Sequence, residues 1–203
     1  LKLTKEINLL IVDLKRGKNT VKILTDLNKG FPWPSGPLDT GKHQYLGAIN
    51  KGIVKNVKKT LEDGEASKLG VMMNLAQDFF DEYLRPASPE ELEAPVLHSV
   101  LSMKEISSFV YGGKCVGSGG DGTAQFVCKT KEDRAKAKNI LIEKGLECFE
   151  LDLKPDFKKD NIGMVLEQIQ KVVPVYAFVA KEGNIDIGTP DLLKKAEEEV
   201  LKK

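Results

Sequence analysis

The segment GGKCVGSGGDGTAQFVCK, residues 112–129, places six glycines in its first eleven positions, with one aspartate among them and an apolar, strand-like run behind. Glycine loses more backbone freedom on folding than any other residue, so this density points to a chain that turns sharply or approaches something closely. Gly112, Gly113, Gly117, Gly119, Gly120 and Gly122 allow several backbone N–H groups to converge into a concavity that suits anions. Lys114 would add a charge and Ser118 a hydroxyl. The spacing is neither G-x-x-x-x-G-K-[ST] nor a G-x-G-x-x-G between strand and helix, so the P-loop and dinucleotide-fold readings fail on pattern. Two plainer readings stand beside ligand contact: a flexible hairpin connection, and glycines that tight packing requires.

Other chemistry-bearing residues are sparse. His43 and His98 are the only histidines, and neither has a partner at metal-like spacing. With Ser99 adjacent to His98 and no nearby aspartate, a Ser–His–Asp hydrolase has no support. Cys115, Cys128 and Cys148 show no C-x-x-C spacing and read as structural thiols of a reducing compartment, which places the chain in the cytoplasm. Met72, Met73, Phe79 and Phe80 belong to a helical core stripe, and Trp33 reads as a loop anchor.

The whole chain must be able to position such a loop. Its 203 residues are 41% hydrophobic and 30% charged, as in ordinary globular domains. Lys plus Arg number 31 against 30 Asp plus Glu, a net charge of +1 that offers no electrostatic footprint for nucleic acid or an anionic membrane. Runs such as INLLIV are too short to span a bilayer, and no signal peptide is visible. The start at Leu1 rather than Met raises the expectation of a chain trimmed from something longer.

INLLIVD, residues 7–13, predicts a buried strand. A short helix follows from Asn19 or Thr20 to Gly30, then a Pro- and Gly-rich loop, FPWPSGPLDTG. Helical stripes run from His43 to Leu61 (Leu46, Ile49, Ile53, Val57, Leu61) and from Ser67 to Leu84 (Leu69, Met72, Leu75, Phe79, Tyr83). Ser88, Pro89 and Glu91 form a capping-box signature for a further helix. TAQFVCKT predicts a strand, KEDRAKAKNILIEKG a helix closed by Gly145, and LECFELDL another strand. This order gives an α+β class, an antiparallel sheet with helices packed on one face. A domain over 1–154 is expected, with a small α/β tail over 155–203: a helix, a hairpin turning at KEGN and a capped carboxyl-terminal helix.

The SPEEL helix start followed by GGKCVGSGGDGTAQF resembles the carboxyl-terminal half of the GHMP kinases, whose third motif runs approximately K-x-x-G-A-G-x-G-G-C. Lys114, Gly117, Ser118, Gly119, Gly120, Asp121, Gly122 and Thr123 occupy those places. The resemblance, over about residues 5–153, implies a ferredoxin-like α+β domain whose loop borders a substrate and phosphate cleft. It also implies ATP and Mg²⁺ as cofactors and a small-molecule acceptor, a sugar hydroxyl above all. Asp121 departs from the glycine of better-known members, and three roles compete for it: acceptor for a substrate hydroxyl, Asx-type turn, or metal ligand. The family's P-x-x-x-G-L-S-S-S nucleotide loop has no counterpart here. The resemblance therefore implies a separate amino-terminal kinase half as partner, without which the chain is expected to be inactive. Neither nucleic acid nor a membrane is an expected partner, and a homo-oligomer is compatible with the sequence.

The tail segment YAFVAKEGNIDIGTPDLLKKAEEE resembles the end of sugar-nucleotide pyrophosphorylases, which implies Mg²⁺ at Asp186. A plain helix cap at Thr189–Pro190 explains the same residues. A nucleotidyltransferase segment and a non-catalytic fragment that only packs or binds a partner are thus the rivals to the kinase.

Overall fold

The computed structural model describes residues 3–155, together with the backbone of 177–179 and 185–187. Strand β1 (Ile7–Asp13) is followed by α1 (Thr20–Asn28), α2 (Gly36–Gln44), a π-turn at Tyr45–Ile49, α3 (Asn50–Asp63) and α4 (Ala66–Tyr83). Three short helices, α5 (Pro89–Leu92), α6 (Pro95–Leu101) and α7 (Lys104–Ser107), lead into β2 (Val110–Cys115) and β3 (Thr123–Cys128). Helix α8 (Lys131–Glu143) and β4 (Glu147–Leu153) complete the first unit. The sheet order is β2-β3-β1-β4, antiparallel throughout. It is the expected α+β class.

Register fixes the two faces of the sheet. Leu10 lies opposite Phe126 and Glu150, and Val12 opposite Ala124 and Cys148. On that face Leu10, Val12, Ala124 and Phe126 share a core with Leu97 and Val100 of α6, Ile106 of α7, and Ala137 and Leu141 of α8. Side chains as buried as Leu10, Phe126 and Leu141 contribute about 1.5–3 kcal/mol each relative to exposure. On the opposite face Ile7, Leu9 and Val127 meet Leu69 and Met73 of α4, whereas Ile11, Gln125 and Phe149 stay half-buried.

Helix α4 also lies along the edge strand β2. Asn74 Oδ1 accepts the Gly113 N–H at 2.9 Å, and Gln77 Oε1 accepts the Cys115 N–H at 2.7 Å. Two side chains one helical turn apart thus satisfy alternate N–H groups of an edge that would otherwise invite pairing with another strand. Backbones come close where both residues lack a side chain: a Cβ on Gly112 would lie 2.2 Å from the Gly70 carbonyl oxygen.

Several expectations change. Helix begins at Gly36 rather than His43, inside the stretch read as loop, because Pro37 sits in the first turn and Asp39 accepts the Ser35 N–H at 3.0 Å. The buried stripe of α4 is Leu69, Met73, Ala76, Gln77 and Phe80, one position round from the expected Met72, Leu75 and Phe79. Small Gly70 and polar Gln77, which a count of apolar residues misses, face β2. The Ser88 capping box does not form. Buried Ser88 donates to Asp26 Oδ2 at 2.9 Å, and Glu91 accepts the Asn19 N–H. Helix α5 lasts one turn, since Pro95 restarts the chain as α6 after Ala94 at φ +42°. Gly112 and Gly113 belong to β2 rather than to a loop.

The chain divides into two compact units, Leu1–Phe157 and Lys158–Lys203. In the second, β5 (Ala177–Val179) pairs antiparallel with β6 (Ile185–Ile187), Phe178 facing Asp186 across the ladder. The helices expected over 158–173 and 189–203, the KEGN turn and the Asp186 side chain lie outside the described residues.

Candidate functional site

Strands β2 and β3 are joined by residues 116–122, a loop closed where the Val116 N–H donates to the Thr123 carbonyl at 3.0 Å. Gly117, Gly119 and Gly120 hold φ of +67°, +85° and +73°, which non-glycine residues adopt only at a cost. Their surroundings differ. A Cβ on Gly119 would lie 2.5 Å from Phe80 Cζ, and one on Gly120 3.0 Å from the Glu91 carbonyl oxygen. A Cβ on Gly117 would meet only Lys18 Nζ, at 4.0 Å. Packing therefore demands glycine at 119 and 120, while Gly117 faces open space.

Asp121 turns away from that space. Its Oδ1 accepts the Leu97 N–H at 2.8 Å, in the first turn of α6, where Ala94 supplies no capping side chain. A carboxylate in that place satisfies an orphan donor and meets the positive end of the helix. Asp121→Ala is expected to destabilise the domain by about 1 kcal/mol, the usual worth of a helix cap, measurable by urea unfolding.

Lys18, between β1 and α1, reaches the loop from the other side. Its Nζ donates to the Gly119 carbonyl at 2.8 Å and to the Val116 carbonyl at 3.3 Å. Burial holds its pKa below the ordinary value, opposed by the neighbouring Cys115. Lys18, Lys114, Gly117 and Ser118 are among the residues that line a groove of about 880 Å³. The rest of its lining is mostly aliphatic, including Leu9, Leu24, Ile53, Val57 and Met72, and Tyr45 lines it too. Desolvation pushes the Tyr45 hydroxyl up to about 12, so it stays protonated. The Ser118 hydroxyl is buried without a hydrogen-bond partner among the described residues.

Of the residues singled out in the sequence, the groove gathers Lys114, Gly117 and Ser118. Gly119, Gly120 and Gly122 form the back of the loop, with Gly122 against the Lys18 stem, and Thr123 pairs with Asp13 in the sheet. Lys18 was missed; its only sequence signal is the basic segment LKRGK after a strand.

His98 is tied to Asp81 of α4 at 2.9 Å through Nε2 and to the Ala94 carbonyl at 2.8 Å through Nδ1. Burial lowers its pKa, but the bonds to Asp81 and Ala94 outweigh that and leave it raised. A folded-state value above the unfolded one means the protonated pair stabilises fully below about pH 6.5, and that contribution fades as pH climbs through the raised value. Melting temperature is expected to fall across this range in the parent chain and to change less in His98→Gln.

The thiols are inert: burial raises Cys115 and pushes Cys128 up to about 12 and Cys148 up to about 11. Among the described residues no group of three or more His, Cys, Asp or Glu could hold a metal ion, and Asp121 is engaged with a helix. No carboxylate is among the described residues that line the groove, so that lining does not fit Mg²⁺. The two lysines offer donors that suit an anion. No helix among the described residues is long and apolar enough to cross a membrane.

No protein-family profile matches the chain, and no curated protein matches it in sequence. Solved structures do match in three dimensions. Mevalonate kinase from L. major, in complex with R-mevalonate, aligns with TM-score 0.54 and 17% identity, over 76% of this chain and 44% of that one. Streptococcus pneumoniae phosphomevalonate kinase, in complex with phosphomevalonate and AMPPNP, aligns with TM-score 0.57 and 17% identity, over 75% and 41%. Over the aligned residues the chain shares the fold of the corresponding part of these kinases. The chain spans less than half the length of these GHMP-fold kinases, 44% and 41% of the two.

Proposed function

We propose that this chain forms one wall of the active cleft of an ATP-dependent small-molecule kinase of the GHMP type. The observation that carries the reading is that Lys18, held against the glycine loop, lines one groove with Gly117, Ser118 and Lys114, on a fold shared with such kinases. Phosphoryl transfer depends almost wholly on position and charge, with little covalent work for the protein. Lys18 and Lys114 would offset charge on a phosphoryl group, Ser118 would donate to or accept from a bound oxygen, and the open face of Gly117 would let the ligand approach the backbone. ATP supplies the transferred group when bound. The nucleotide loop and the Mg²⁺ ligands fall to an amino-terminal half, which is the partner this reading requires. Three buried free cysteines accord with a reducing, cytoplasmic setting.

Calorimetric titration of the isolated chain with Mg-ATP tests the division of labour. Binding is expected to be no tighter than millimolar, and micromolar affinity would show that the nucleotide site is complete without a second half.

A further inference from the structure

The Lys18 stem threads the glycine loop. Its aliphatic carbons lie 3.5 Å from where a Cβ on Gly120 would stand and 3.0 Å from one on Gly122, so the side chain is seated rather than waving. Two of its three N–H donors go to the carbonyls of Gly119 and Val116. Among the described residues no carboxylate stands close enough to raise its pKa, and the neighbouring Cys115 is a buried thiol. An ammonium partly withdrawn from water without a counter-ion is costly, and an anion supplied by a ligand removes that cost. Ser118, whose hydroxyl is buried without a partner among the described residues, lines the same groove, as does Lys114.

We propose that Lys18 is a positioning residue that also binds ligand. It fixes the glycine loop through two carbonyls and, with Ser118, holds one anionic phosphate oxygen of the ligand at Gly117. The inference rests on the kinase reading for the loop's purpose, but its chemistry belongs to this chain alone. The oxygen could come from the acceptor or from the nucleotide; the shared recognition is a charge-assisted bond to a phosphate.

Amide NMR of the isotope-labelled chain, titrated with inorganic phosphate, tests it. Resonances of Gly117, Ser118 and Gly119 are expected to shift and saturate in the millimolar range, with sodium chloride at matched ionic strength as the silent control. Losing a hydrogen bond to a charged group costs about tenfold or more in affinity, so Lys18→Met should weaken phosphate by about that factor. Lys18→Arg should restore most of it, a rescue that a purely packing role would not give. If Lys18→Met loosens the loop, Ser118→Ala, which leaves the clamp intact, is expected to weaken phosphate severalfold by itself. Glycerol phosphate and Mg-AMPPNP run in parallel assign the source, the tighter of the two naming acceptor or nucleotide. Unchanged phosphate affinity in Lys18→Met, or no saturable shift with any phosphate, would overturn the assignment. ATP turnover plays no part in these titrations, so such a failure is separable from failure of the kinase reading.

Discussion

Gly112→Ala is expected to destabilise the domain by about 3 kcal/mol, at the upper end for inserting one methyl group into packed surroundings. The added Cβ would lie 2.2 Å from the Gly70 carbonyl oxygen, 2.6 Å from Asn74 Oδ1 and 2.7 Å from the Gly70 carbonyl carbon. Two of these three atoms are backbone within α4, so no rotamer change relieves the contact. The helix must retreat from β2, which lengthens the Asn74–Gly113 and Gln77–Cys115 hydrogen bonds together. Gly70→Ala should behave alike, since its Cβ would stand 2.5 Å from the Tyr111 carbonyl carbon. Gly52 in α3 is the contrast: it is exposed with nothing within 4 Å, and Gly52→Ala is expected to stabilise by about 0.5–1 kcal/mol through helix propensity. Urea unfolding followed by circular dichroism separates the three variants. A Gly112→Ala protein as stable as the parent would contradict the close helix–strand contact.

The second large effect is expected in function. Gly119→Ala combines a backbone angle of φ +85° with a Cβ 2.5 Å from Phe80 Cζ and 3.1 Å from Leu92 Cδ2. Phe80 cannot recede, being buried edge-on against Tyr45 at a 6.0 Å centroid distance. The loop must therefore move toward the groove, carrying Ser118 and the Gly119 carbonyl that Lys18 holds. Displacing a positioning element by about 1 Å can cost on the order of 100-fold in rate, and that loss in kcat/KM is expected in a kinase assembled with this chain. Gly117→Ala shares the unfavourable φ but meets open space, so its cost is the backbone's own, about 1–2 kcal/mol, with a smaller rate loss. Equal activity of Gly119→Ala and parent would remove the loop from the active cleft.

The sheet was largely legible. INLLIVD, TAQFVC and ECFELDL are continuous or alternating apolar runs, and each is a strand. Strand β2 was not, because Gly112 and Gly113 depress strand propensity, and the reason for them is a helix more than thirty residues earlier that must come close. Helix α2 hid behind glycine and proline, which break helices inside but open them in the first turn. The loop's glycines were visible as a group, yet sequence could not separate Gly119 and Gly120, required by Phe80 and Glu91, from Gly117, which faces the groove. Asp121 stood out by type, but its partner is a backbone N–H on a neighbouring helix, which no side-chain pattern records. Lys18 meets the loop across 101 positions, a distance at which only folding makes the connection.

Whether this chain is half of a kinase cleft is measured most directly by transfer of the γ-phosphate. With radiolabelled ATP and a panel of small alcohols, sugars and hydroxy acids, the isolated chain should transfer no label. The same chain joined to an amino-terminal half bearing the nucleotide loop should label an acceptor, and Lys18→Met or Gly119→Ala should suppress that labelling. Transfer by the isolated chain, or a joined protein whose activity ignores both substitutions, would contradict it.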